Sequence, residues 1–123
     1  MGKAFRRHHI SMKNAFAGVR WALLTQPNFR VHLFFSAVAL IIGWYVSLTP
    51  SEWVLLVFTI FWGLSAEMMN TAIESLSDLI TREWKKEIKI AKDVAAGMML
   101  TVAIGALVVA YLLLIPKLLG KLP

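Results

Sequence analysis

Three stretches of this chain carry no Lys, Arg, Asp or Glu: residues 31–51, 53–66 and 94–115. A helix needs about 20 residues to cross the hydrocarbon of a bilayer. Lipid offers backbone amides no water, so only helices and closed barrels can span it. The first and third stretches are long enough alone. The second becomes a span only if its helix runs on to about Ile80, through a segment holding three carboxylates, Glu67, Glu74 and Asp78. The expected fold is an all-α membrane protein with transmembrane helices at about 31–49, 53–80 and 93–115. Pro116 and Lys117 are expected to close the third span, and Gly97 and Gly105 could let neighbouring helices approach closely.

The chain is 123 residues, one membrane-embedded unit by length, and 59% hydrophobic. It has no cysteine, which excludes a disulfide scaffold and a thiolate metal site. The net charge is +6. The basic residues flank the spans and do not gather on one face, which suits an anionic membrane surface and argues against nucleic acid. Residues 1–30 hold no contiguous apolar core or cleavage-like site, so no signal peptide is expected there. Residues 3–25 read instead as an amphipathic helix lying on the membrane surface. Phe5, Met12, Phe16, Val19 and Leu23 recur at spacings of three, four or seven, with Arg6, Lys13 and Arg20 on another face. The link between the second and third spans carries Arg82, Lys85, Lys86, Lys89 and Lys92, whereas the 47–52 turn carries only Glu52. The positive-inside rule places the N-terminus and the 81–93 link in the cytoplasm, and the turn and the C-terminus outside.

The stretch EMMNTAIESLSD, residues 67–78, sets the chemistry. At 100° per residue Glu67, Asn70, Glu74 and Asp78 fall within a sector of about 80°, with Thr71 beside them. An ionised carboxylate facing lipid costs at least about 2.5–3.5 kcal/mol, so the stripe faces a bundle interior or a wet cavity. Paired carboxylates suit a hard cation such as Mg²⁺, and another carboxylate could act as a general base. The same stripe also suits an ion or proton pathway, or interhelical hydrogen bonds that specify assembly. By depth alone Asp78 could simply lie in the headgroups. The segment KIAKDVAAG brings Lys92 and Asp93 to the same membrane face, near Arg7, Arg20 and Arg30. Cations and carboxylates at one interface are what phosphoryl transfer needs. No P-loop or kinase glycine-rich loop is present, so a nucleotide site must be of another design.

ExxNTAIExxxD in the second span followed by KxAKDxAAG at the third resembles the small prokaryotic integral-membrane diacylglycerol kinases, a family that includes undecaprenol kinases. The resemblance runs from about Phe5 to the third span, and NFRVH at 28–32 is similar to its Gram-positive branch. It implies a homotrimer of a surface helix and three transmembrane helices in the bacterial cell membrane. Its active sites lie between subunits at the cytoplasmic interface and move the γ-phosphate of MgATP to a lipid hydroxyl, of diacylglycerol or undecaprenol. It further implies Glu67 as catalytic base and Glu74 as a metal ligand. Asn70, Asp78, Lys92 and Asp93 are implied to line the nucleotide and lipid site, with Arg7 on phosphate and Arg30 at a second basic position. One position departs from the pattern. Gln26 stands where the family usually carries a glutamate that shares the metal. Its carbonyl can ligate Mg²⁺ but brings no charge, which keeps a non-catalytic nucleotide- or cation-binding protein as the alternative.

Overall fold

The structure is a computed structural model that describes the backbone of residues 2–120 and the side chains of residues 11–120. Arg7 and Phe5 lie outside the described side chains. Four helices follow in order: α1 (Gly2–Thr25), α2 (Pro27–Tyr45), α3 (Pro50–Ile80) and α4 (Lys86–Leu119). No strand occurs among the described residues. The last three helices are long and apolar enough to cross a membrane, as the sequence predicts.

The helices do not start and stop where the apolar runs do, because hydropathy reads the apolar layer and not the helix. α2 begins at Pro27, where proline's fixed φ and missing N–H suit the first helical turn. Gln26 before it is extended, as a residue preceding proline prefers. α4 begins at Lys86, several residues before the apolar run, in a charged segment of good helix formers braced by the Lys89–Asp93 pair one turn apart. At the other end α4 does not close at Pro116 but continues to Leu119. Tertiary contacts outweigh the local cost of the proline. Leu114 is buried, Leu118 packs on the same core, and Lys117 Nζ donates to Glu52 Oε2 at 2.8 Å.

The α2–α3 connection uses residues 46–49. The Leu48 N–H donates to the Gly43 carbonyl at 3.1 Å, and the Ser47 N–H to the Trp44 carbonyl at 3.1 Å. These are the paired bonds of a Schellman cap, which needs a left-handed residue just past the helix. Ser47 takes that role with φ 56°. A non-glycine side chain is strained there. Ser47→Gly is therefore expected to stabilise the protein by up to about 1 kcal/mol, read as a raised thermal unfolding midpoint in detergent. Gly43 closes the same corner, since a Cβ there would meet Leu48 Cδ1 at 2.9 Å and Leu56 Cδ2 at 3.2 Å. Thr49 then starts α3, with the Glu52 carboxylate accepting from its N–H at 2.7 Å and its hydroxyl at 2.8 Å.

The tightest packing surrounds this corner. Val46, Leu48, Leu56 and Leu114 are buried together, with Ile42, Trp53 and Leu113 against them. α3 and α4 pack along most of their length, while α2 leans mainly on α3 and touches α4 at few points. Nothing among the described residues comes within 4 Å of a Cβ placed at Gly97 or Gly105, so the close packing expected of them does not occur among those residues. On α1, Met12, Phe16, Val19 and Leu23 are exposed, and among its described side chains only Ala22 is buried. An uncovered apolar face on a basic helix matches a helix resting on a membrane surface.

At 1.5 Å per residue α3 is about 46 Å long and α4 about 51 Å. Both exceed a hydrocarbon layer of about 30 Å. Trp44, Tyr45 and Trp53 cluster at the α2–α3 corner, the aromatic signature of one membrane interface. Measured from that corner, the surplus length lies at the opposite end, with the acidic stripe and the basic link.

Candidate functional site

α3 buries the first half of the predicted polar stripe, Glu67 and Asn70, and leaves Glu74 and Asp78 exposed. Glu67 is 3% exposed and Asn70 7%. Thr71 and Ser77 are buried on the same helix, and Glu74 is exposed at the edge. The spacing of three and four residues stacks Glu67, Asn70 and Glu74 in successive turns. Asn70 Nδ2 donates to Glu74 Oε1 at 3.1 Å. That bond fixes the amide, leaving Asn70 Oδ1 buried with no partner among the described residues. A buried orphan carbonyl is costly unless something external satisfies it.

Glu67, Asn70 and Glu74 line a cavity of about 310 Å³. Asn28 and His32 form its α2 wall, and Ala96, Met99, Leu100 and Ala103 its α4 wall. The alanines leave the space that larger residues would fill. Asn28 and His32 were not singled out as site residues from sequence. The signal was there, in two polar side chains at i and i+4 in the first turns of α2, which share one face.

A second polar group lies further along, where α3 ends and α4 begins. Lys92 Nζ donates to Asp78 Oδ1 at 2.5 Å, an exposed ion pair that links α3 to α4. Asp93 turns to Lys89 instead. Arg30 is exposed on α2 and has no ion-pair partner among the described residues. Gln26 caps α2, its Nε2 donating to Thr25 Oγ1 at 3.2 Å, and is not part of the cavity wall. Within one chain it is therefore not brought together with Glu74.

No group of three or more His, Asp or Glu able to hold a metal occurs among the described residues. The oxygen donors still fit Mg²⁺, which is commonly bound by one or two carboxylates plus phosphate oxygens and water. Glu74 and the orphaned Asn70 carbonyl are hard oxygen donors one turn apart on α3.

The sequence profile of prokaryotic diacylglycerol kinases matches residues 13–114. The chain belongs to the prokaryotic diacylglycerol kinase family. It is 39% identical over 112 residues to a diacylglycerol kinase of Synechocystis sp., covering 90% of this chain and 64% of that one. It is 35% identical over 112 residues to an undecaprenol kinase of Bacillus subtilis, covering 91% of each. The chain thus spans a little under two thirds of the length of the Synechocystis relative. For a diacylglycerol kinase family member the buried carboxylate, the cavity beside it and the Asp78–Lys92 pair sit on the matched part of the chain. The resemblance read from ExxNTAIExxxD and KxAKDxAAG is confirmed.

Proposed function

We propose that this chain is an ATP-dependent lipid kinase, one unit over residues 1–123, that transfers the γ-phosphate of MgATP to the hydroxyl of diacylglycerol or undecaprenol. The observation that carries the reading is the buried Glu67 carboxylate lining a cavity beside the hydrogen-bonded Asn70–Glu74 pair. Glu67 takes the proton from the lipid hydroxyl. The hydroxyl oxygen bonds to the γ-phosphorus as the bond from that phosphorus to the β–γ bridging oxygen breaks. The electron pair leaves with ADP, and the proton passes from Glu67 to water. Glu74 and the Asn70 carbonyl would hold Mg²⁺, which when bound supplies charge neutralisation at the phosphates. Lys92 and Arg30 offer cations to the phosphates, as does Arg7 by family resemblance. Asp78 and Asp93 hold Lys92 and Lys89 in place.

The basic link supports a cytoplasmic position for this end, with the N-terminus there and the C-terminus outside, in the cell membrane. Pairing of Lys117 with Glu52 agrees with the C-terminus and the α2–α3 corner sharing one side. A homotrimer is what the family resemblance implies. Gln26 favours a second reading, a protein of this fold that binds nucleotide or cation without catalysis.

Transfer from radiolabelled ATP in mixed micelles, with diacylglycerol and undecaprenol offered in parallel, separates the two. The expected result is labelled lipid phosphate that depends on Mg²⁺. Gln26→Glu is expected to reduce several-fold the Mg²⁺ needed for half-maximal transfer, because it adds a charged oxygen donor. No labelled lipid from the parent, with ATP still bound, would establish the non-catalytic reading.

A further inference from the structure

The proton step above leaves two polar side chains of the cavity unused, Asn28 and His32, one turn apart on α2. It also leaves a problem. Glu67 is almost fully buried and has no hydrogen-bond partner among the described residues. A base works when one of its oxygens is held toward the proton it removes, and a misplacement of about 1 Å can cost about 100-fold in rate. The groups around Glu67 can be gone through by element. From α3, Asn70 gives one of its two amide N–H bonds to Glu74, Glu74 is itself an anion, and the buried Thr71 is not among the residues that line the cavity. From α4 the cavity receives only Ala96, Met99, Leu100 and Ala103, none of them a donor. From α2 it receives Asn28 and His32, both able to donate an N–H, and of the two the imidazole has the longer reach across the cavity to Glu67.

We propose that His32 is the positioning residue for Glu67. Its ring N–H donates to one carboxylate oxygen across the cavity and leaves the other oxygen for the lipid hydroxyl. The inference rests on Glu67 being the base. The choice of histidine has a physical reason. A lysine or arginine here would bring a permanent charge into the apolar layer and weaken the base by pairing with it. A neutral imidazole supplies one N–H and no charge. The arrangement is a base oriented by a third group, built from two different helices. α2, which packs less tightly than α3 and α4, then sets the aim of the carboxylate.

The test is a double-mutant cycle in the full-length protein. His32→Ala is expected to lower kcat by about 30- to 100-fold with the KM values for ATP and lipid unchanged within about twofold. His32→Gln, whose amide N–H can reach the same oxygen, is expected to regain most of that loss. In a Glu67→Gln background, His32→Ala is expected to cost nothing further, because the residue it positions is already disabled. A loss of equal size in both backgrounds, a loss carried by KM, or no loss would overturn the proposal. A readout free of turnover covers the case in which Glu67 is not the base or the parent transfers no phosphate. The ¹⁵N shifts of the His32 ring, assigned by their disappearance in His32→Gln, are expected to move on Glu67→Gln. Ring shifts indifferent to Glu67→Gln would overturn the pairing whatever the activity does.

Discussion

Glu67→Gln is expected to lower kcat for phosphate transfer by about 10²- to 10⁴-fold, the range that a positioned general base contributes. The substitution keeps the shape of the side chain and removes only its ability to take a proton. Because Glu67 is buried, its replacement by the isosteric amide opens no cavity and removes a charge from the apolar layer. The protein should therefore insert and assemble as before, with a thermal unfolding midpoint in detergent equal to that of the parent or above it. ATP binding should persist, since the proposed nucleotide contacts lie at Lys92 and the Asn70–Glu74 pair. The decisive comparison is turnover against nucleotide affinity in one preparation. A variant that keeps full turnover would remove Glu67 from the mechanism. Loss of turnover together with loss of assembly would make the acidic stripe an assembly device.

The second large effect is expected at Lys92. Lys92→Gln should reduce kcat/KM for ATP by about 10²- to 10³-fold, the cost of removing one preorganised group that stabilises developing charge. Its structural cost should be small. The Lys92–Asp78 pair has side chains 38% and 58% exposed, and exposed pairs are worth about 0–1 kcal/mol. A 100-fold loss corresponds to about 2.7 kcal/mol of transition-state stabilisation, more than a surface ion pair can account for. The two roles therefore separate on magnitude. Asp78→Asn supplies the control, because it breaks the same pair and leaves the cation. It is expected to lose far less activity than Lys92→Gln. Equal losses in the two variants would mean that the pair matters as a clasp between α3 and α4 and not as a source of positive charge.

The three candidate spans were largely legible because charge exclusion from hydrocarbon leaves a blunt mark. Three charge-free runs gave three helices of the right order, and the acidic stretch did continue the second. The ends were not legible in the same way. A charged helical turn such as 86–93 is no less helical for lying outside the apolar layer, and proline near an end yields to tertiary contacts such as Lys117 with Glu52. In the candidate site, Glu67, Asn70 and Glu74 could be grouped because they share one helix, where periodicity fixes relative position. His32 could not be placed, because its partner lies on another helix, 35 residues on. Nothing in a single helix's pattern reports which neighbour it will face. Gln26 shows the same limit. Its relation to Glu74 would cross from one subunit to another, which one chain's fold leaves undetermined.

The surplus length of α3 and α4 bears on how two incompatible reactants can meet. Glu67 lies about 26 Å along α3 from Pro50 and Asp78 about 42 Å. With the corner at one edge of a hydrocarbon layer of about 30 Å, the first falls just inside the oil and the second in water. A lipid alcohol then need not be lifted out of its bilayer, nor a nucleotide dragged into it. In the proposed reaction each stays in the solvent where it is stable, and only the γ-phosphate crosses the phase boundary. Partition costs that would otherwise add to the barrier are avoided by where the helix ends.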